Sequence, residues 1–262
     1  MDLRAQIERE IFGQSGHDIR LEWSAEGVAA LGRECAVLVV VDVLSFSTTV
    51  DLAVSRGGRV RPLRWGDSAA RAAAAAEGAT VPDEHGHTLR PSWVLRTPPG
   101  AYIAVASPNG ATLCLAAAET GAEVLAGCLR NARAVAAEAR VRAAGQPIGV
   151  VPAGERWQVD VLAPAGTVGP LRPCVEDHLG AGAIVDALIG LGLRWPSPEA
   201  SLAARAFRAA GPDVGSVVAG SASGKELIDA GYGGDVDLAI GVNRSTVAPR
   251  LVNGVFQHLP LR

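Results

Sequence analysis

Residues 37–58 read Val37-Leu-Val-Val-Val-Asp42-Val-Leu-Ser45-Phe-Ser47-Thr48-Thr49-Val-Asp51-Leu-Ala-Val-Ser-Arg-Gly57-Gly. Five branched apolar residues predict a strand buried on both faces, and it ends on a single carboxylate, Asp42. A cluster of hydroxyls, Ser45, Ser47, Thr48 and Thr49, then opens a segment with apolar residues at helical spacing. Strand, polar turn and helix start follow in that order. The layout sets a hard oxygen ligand and several hydrogen-bond donors beside the free N–H groups of a helix N-terminus, which suits an anion. The same residues also serve an ordinary capped crossover with Asp42 as a turn residue. Both readings stay open from this stretch alone.

Working outward, apolar runs alternate with Ala-rich helical segments. Strands are predicted near 18–23, 36–43, 59–64, 101–106, 123–127 and 147–152. Helices are predicted near 46–56, 67–77, 109–120, 131–144, 176–192, 198–210 and 223–230. Such alternation points to βαβ units around a mostly parallel sheet. Residues 82–100 and 153–174 are Pro-containing loops, and long loops in α/β proteins commonly border a site. Residues 1–262 are expected to form one α/β unit, or two intimately associated lobes sharing a cleft.

An internal echo supports two related halves. Shifted by 64 residues, Val39-Val40-Val41-Asp42 falls on Ile103-Ala104-Val105-Ala106, Ser45-Phe46-Ser47-Thr48 on Asn109-Gly110-Ala111-Thr112, and Gly57 on Gly121. Each copy reads strand, polar turn, small-residue helix, Gly stop, strand. Turns at the carboxyl ends of strands are where open α/β sheets bind ligands, so two of them are expected to face one anion.

Composition excludes several classes. The formal charge of −3 and the lack of a basic run with interleaved aromatics argue against nucleic acid. Apolar runs are far short of the roughly twenty residues of a membrane span. The N-terminus lacks a signal-peptide core, so a cytoplasmic location is expected. Cys35, Cys114, Cys128 and Cys174 are scattered and read as buried small hydrophobes. The histidines, His85 and His87 in a loop among them, read as structural or solvated.

Three further segments carry candidate chemistry. Ser107-Pro108-Asn109-Gly110-Ala111-Thr112 is a turn in which Asn109-Gly110 allows close backbone approach to a ligand. Glu176-Asp177 opens a helix whose Leu179, Ala183, Ile184, Ala187 and Leu188 face inward; the macrodipole favours acids there whether or not they are functional. Adjacent helical side chains diverge by about 100°, so Glu176 or Asp177, without preference, shares a ligand direction with Asp42. Near the C-terminus, Ser221-Ala-Ser-Gly-Lys225 fails as a Walker A loop and Asp235-Val-Asp237 fails as a dehalogenase-type nucleophile motif, although Asp235 remains a candidate carboxylate. Carboxylates without soft ligands favour Mg²⁺, which pairs a few carboxylates with water and phosphate oxygens. Phosphomonoester hydrolysis is the chemistry that such a set suits.

Taken in order, these segments resemble the 2-phosphosulfolactate phosphatase family, Mg²⁺-dependent enzymes associated with coenzyme M biosynthesis. Asp42-Val-Leu-Ser-Phe-Ser-Thr-Thr-Val matches that family's Asp-Val-Leu-Arg-Ala-x-Thr-Thr-Ile, and Ser107-Pro-Asn-Gly-Ala matches its Thr-Thr-Asn-Gly-Thr. Gly127-Cys-Leu-Arg with Asn131, Val151-Pro-Ala-Gly, Glu176-Asp-His-Leu-Gly-Ala-Gly-Ala-Ile, and Asp235-Val-Asp-Leu-Ala with Asn243 and Val247-Ala-Pro continue the match. The resemblance implies a three-layer α/β/α fold with two related halves. It implies Asp42, Glu176 and Asp177 as catalytic carboxylates that, with Asp235, serve a metal. It also implies Ser45, Ser47, Thr48, Ser107, Asn109, Gly110 and Asn131 around the phosphate. The implied partner is a small anionic phosphorylated substrate, and a homodimer is left open.

Two departures bear on substrate. Ser45 stands where the family usually has arginine, and the family's Gly-Glu-Arg after the third strand is replaced by Asp83-Glu84-His85. Arg130, Arg156 and Arg172 are the cations in neighbouring loops that are placed to compensate. A different phosphorylated hydroxy acid as substrate, or a non-catalytic phosphate-binding role, are the alternative expectations.

Overall fold

Val37, Val39 and Val41 pack into one apolar cluster and Leu38 and Val40 into another, so the strand's alternating side chains feed cores on both faces of a sheet. The computed structural model describes residues 7, 10–83, 87–157 and 169–259. Glu84, His85 and residues 158–168 of the second predicted loop lie outside them.

The strands are β1 (Ile19–Leu21), β2 (Val37–Val41), β3 (Arg59–Arg64), β4 (Tyr102–Ser107), β5 (Glu123–Gly127), β6 (Ile148–Pro152), β7 (Glu155–Arg156), β8 (Leu171–Arg172), β9 (Arg250–Val252) and β10 (Val255–Gln257). The α-helices are α1 (Ser24–Leu31), α2 (Phe46–Ser55), α3 (Ser68–Ala76), α4 (Pro91–Val94), α5 (Gly110–Glu119), α6 (Ala132–Ala143), α7 (Val175–Gly190), α8 (Pro198–Ala210), α9 (Val214–Ala219), α10 (Ala222–Asp229) and α11 (Gly233–Ala239). Eight strands form one sheet in the order β1-β6-β2-β5-β9-β10-β3-β4, and β7 pairs with β8 in a separate ribbon. Helices α1, α2 and α5 supply side chains to one core, α6, α7 and α8 to the other. This is the expected α/β architecture, three layers around a mostly parallel sheet.

The two halves anticipated from the echo are intertwined. The first unit is β2-α2-β3 and the second β4-α5-β5, yet β2 pairs in parallel with β5, and β3 with β4. Each unit therefore bonds to the other unit's strands and not to its own. The registers nearly coincide: Val37 faces Glu123, and Arg59 faces Tyr102. Both helices stop at a glycine of positive φ, Gly57 (78°) and Gly121 (88°), where other residues would be strained. The β9–β10 hairpin fills the gap, pairing antiparallel with β5 through Arg250 and with β3 through Phe256. Its turn, Asn253-Gly254, has positive φ at both residues, as a tight two-residue hairpin requires. This hairpin, the helices α1, α4, α9 and α11 and the β7–β8 ribbon are additions to the expected elements, α4 falling within the predicted loop 82–100.

Helix α7 approaches the sheet unusually closely. A Cβ on Gly180 would lie 2.7 Å from Val43 and 3.0 Å from Val41, so only glycine lets the second turn of α7 sit against the end of β2. That approach carries Glu176 and Asp177 to the turn after Asp42.

Candidate active site

The turn after β2 is built around the Asp42 carboxylate, which is 6% exposed. Its Oδ1 accepts the Phe46 N–H at 3.1 Å and its Oδ2 accepts the Gly110 N–H at 2.9 Å. One side chain thus joins the helix starts of both units. A Cβ at Gly110 would fall 2.6 Å from both Asp42 Oδ2 and the Phe46 ring, which explains the glycine. Burial pushes the Asp42 carboxyl up to about 6, against the two N–H donors and the Ser107 hydroxyl that favour its anion; the nearby Glu176 charge adds to the rise.

Asp177 is fixed in the same manner. Its Oδ1 accepts the Val43 N–H at 2.7 Å and its Oδ2 the Gly154 N–H at 2.8 Å. Burial, with the Asp42 and Glu176 charges, holds this carboxyl well above the usual range. Glu176, 3% exposed, accepts a hydrogen bond from Ser221 Oγ at 3.2 Å. Both members of the Glu176–Asp177 pair therefore reach the neighbourhood of Asp42, and the choice between them dissolves: Asp177 faces the main chain and Glu176 faces Ser221.

A fourth acid belongs to the group. Glu155, half-buried on β7, accepts a hydrogen bond from the Asn109 side-chain amide at 3.1 Å. Burial and the Asp42 charge raise its carboxyl to about 7, opposed by Asn109 and Arg172. Sequence reasoning passed over Glu155. The signal was present: Val151-Pro152-Ala153-Gly154-Glu155 places an acid just beyond a buried strand, the arrangement that singled out Asp42.

The remaining predicted residues divide clearly. Ser107 and Gly110 touch Asp42, and Asn109 holds Glu155. Ser45 is half-buried at the head of α2 and supplies a free hydroxyl among the described residues. Ser47 and Thr48 are wholly buried; Ser47 Oγ accepts the Asp42 N–H and donates to the Val40 carbonyl, while Thr48 donates to the Val43 carbonyl. Their protons serve the turn and not a ligand. Asn131 is also fully buried, accepting from the Cys128 N–H and donating to the Ala126 carbonyl, so it caps its own loop. Asp235 accepts the Ser92 N–H at 2.6 Å and anchors α4 to α11, apart from the other acids. Among the described residues, no three His, Cys, Asp or Glu side chains close into a ready metal cage.

The three candidate arginines separate as well. Arg130 pairs with buried Asp51 at 2.8 Å, beside an open hollow of about 640 Å³ that none of the clustered acids lines. Arg156 is held by Ser24 and Glu26. Arg172 is the one at the site: it faces Glu155 across the β7–β8 ribbon and donates to Ser223 Oγ at 3.0 Å. Cys174, next to it, is buried and its thiol is pushed up to about 12, which removes it as a nucleophile. His178 stacks on Trp23 and is structural.

Four buried or half-buried acids, hydroxyls and an arginine thus lie around a junction of two helix starts, a donor set that suits an oxyanion ester. Comparison with known proteins agrees. The family model for 2-phosphosulpholactate phosphatase matches residues 29–254. The chain is also 29% identical to a probable 2-phosphosulfolactate phosphatase of Deinococcus radiodurans over 232 residues, 83% of this chain and 88% of that protein. The chain belongs to the 2-phosphosulpholactate phosphatase family, and with it to the phosphoric monoester hydrolases. Among the described residues no helix is long and apolar enough to cross a membrane.

Proposed function

We propose that the chain is a Mg²⁺-dependent phosphatase whose substrate is 2-phosphosulfolactate, hydrolysed to sulfolactate and phosphate. The observation that carries this reading is the crowding of negative charge at Asp42: Asp42, Glu155 and Asp177 all hold protons more tightly than usual, and neighbouring carboxylates contribute in each case. A polyanionic ester cannot approach such a cluster without a compensating cation. Oxygen-only donors match Mg²⁺, which needs only one or two protein carboxylates beside water and phosphate oxygens, so the absence of a three-ligand cage among the described residues is no obstacle. Asp42 and Glu176 would hold the ion, with Asp177 behind them. When bound, the ion supplies charge neutralisation for the transferring phosphoryl group.

The chain's own residues divide the remaining work. Main-chain donors on both oxygens keep Asp42 and Asp177 in fixed orientations, suited to anions. Among the described residues Glu155 is held through Oε2 alone, which leaves Oε1 to carry a proton near neutrality. In the forward reaction that proton goes to the departing alkoxide oxygen of the hydroxy acid. The Ser45 hydroxyl, at the open end of α2, is a donor for the phosphoryl oxygens.

A phosphate-release assay on 2-phosphosulfolactate, with Mg²⁺ and with EDTA, tests the reading. Magnesium-dependent release is expected. Release from 2-phospholactate or 2-phosphoglycolate alone would move the substrate to another phosphorylated hydroxy acid, as Ser45 hints. Binding of phosphate with no release from any ester would leave a non-catalytic binder.

A further inference from the structure

Two of the three candidate arginines are neutralised among the described residues. Arg130 and Arg156 meet carboxylates, whereas Arg172 forms no ion pair among the described residues although Glu155 faces it across the ribbon. Among the described residues its side chain makes one hydrogen bond, to Ser223 Oγ, which uses one of five N–H donors. Trp157 lies beneath the guanidinium at 5.7 Å, and Ser223 fixes its edge, so the group is positioned without being consumed. Its charge is felt at both Glu155 and Cys174. The backbone places it opposite Glu155 on the ribbon and just ahead of the helix that bears Glu176 and Asp177.

We propose that Arg172 is the specificity residue of this site, its free N–H fork receiving the second oxyanion of the substrate, a carboxylate or sulfonate, while the phosphoryl group occupies the junction at Asp42 and Gly110. A planar fork matches either oxyanion through two parallel hydrogen bonds, which a lysine cannot reproduce. The ligand class is then an ester that carries a second acidic group besides its phosphate. The proposal rests on the hydrolase reading for the name of the ester, but not for the binding of an oxyanion by Arg172.

The test compares wild type, Arg172→Ala and Arg172→Lys on 2-phosphosulfolactate, 2-phospholactate and p-nitrophenyl phosphate, together with calorimetric binding of sulfolactate. For the first ester, KM is expected to rise about 30- to 100-fold in the alanine variant with kcat changed less than about threefold. The lysine variant should recover only part of the loss. p-Nitrophenyl phosphate, which lacks a second acid, should be nearly unaffected, and 2-phospholactate shows whether the carboxylate alone engages the fork. Sulfolactate binding should weaken in parallel, with circular dichroism of both variants unchanged. Equal losses on all three esters, or sulfolactate binding indifferent to both substitutions, would overturn the assignment while leaving the hydrolase intact. Conversely, no phosphate release by wild type alongside Arg172-dependent sulfolactate binding would remove the hydrolase reading and leave the binding of an oxyanion by Arg172 standing.

Discussion

The turn after β2 and the turn after β4 are built on one plan and do different things. In both, a threonine hydroxyl in the first helical turn donates to a carbonyl five residues back, Thr48 to Val43 at 2.7 Å and Thr112 to Ser107 at 2.9 Å. In both, a short helix follows and ends on a left-handed glycine. The first turn supplies a carboxylate, Asp42, and the second supplies the N–H of Gly110 and the amide of Asn109. The second turn thus has no acid of its own; it steers the acids of others. Duplicated scaffolding with divided labour leaves one charged centre where strict duplication would have set two carboxylates face to face, at a high electrostatic cost.

Breaking the asymmetry should have the largest effect. Asp42→Asn is expected to lower kcat by at least about 100- to 1,000-fold in the phosphate-release assay. It should also lower the melting temperature, because an amide can accept from only one of the Phe46 and Gly110 N–H groups and must point a donor at the other. An active variant would mean that Asp42 is a brace alone. Next in size is Gly110→Ala, which forces a methyl to within 2.6 Å of Asp42 Oδ2 and the Phe46 ring. A loss of about 1–3 kcal/mol in denaturant unfolding is expected, and a neutral result would mean that the two turns can separate.

The charge imbalance sharpens the comparison through pH. Asp42 and Glu155 bind protons more tightly folded, near 6 and 7, than at their ordinary values of 3.8 and 4.5. Folding therefore takes up protons across this window, so stability is greatest below pH 4 as far as these groups are concerned, and declines as pH rises through about 6 and then 7. Thermal melts without metal should show that decline. Asp42→Asn should flatten its lower part and Glu155→Gln its upper part, and Mg²⁺ should stabilise more at pH 8 than at pH 5. The smallest effect concerns the shared plan itself: Thr48→Val and Thr112→Val should each cost about 1 kcal/mol, and very unequal costs would show that the likeness is only of outline.

Much of this architecture was readable from residue order. Strands and helices followed the apolar periods, because burial on both faces leaves long uniform runs such as 37–41. The β9–β10 hairpin escaped notice despite Asn253-Gly254 between apolar residues, since its three-residue strands are too short to show a period. Asp42, Glu176 and Asp177 stand out as candidates in the sequence because each sits where a strand or helix terminus exposes main-chain donors. Ser47, Thr48, Asn131 and Asp235 looked equivalent on paper, but their partners are carbonyls and amides that only tertiary packing reveals. Glu155 is marked in the sequence by its place just beyond a buried strand and Arg172 by its charge, but that Glu155 faces Arg172 and holds Asn109 are contacts that no local spacing encodes.

The reciprocal pairing of the two units also constrains how the chain is made. β2 waits for β5, more than eighty residues downstream, and the two blocks of strands join only when residues 250–257 slide between them. A nascent polypeptide on the ribosome therefore carries two half-sheets with bare inner edges until residues 250–257 have been made. Those edges are the places where a chaperone, or a wrong neighbour, meets the growing molecule first.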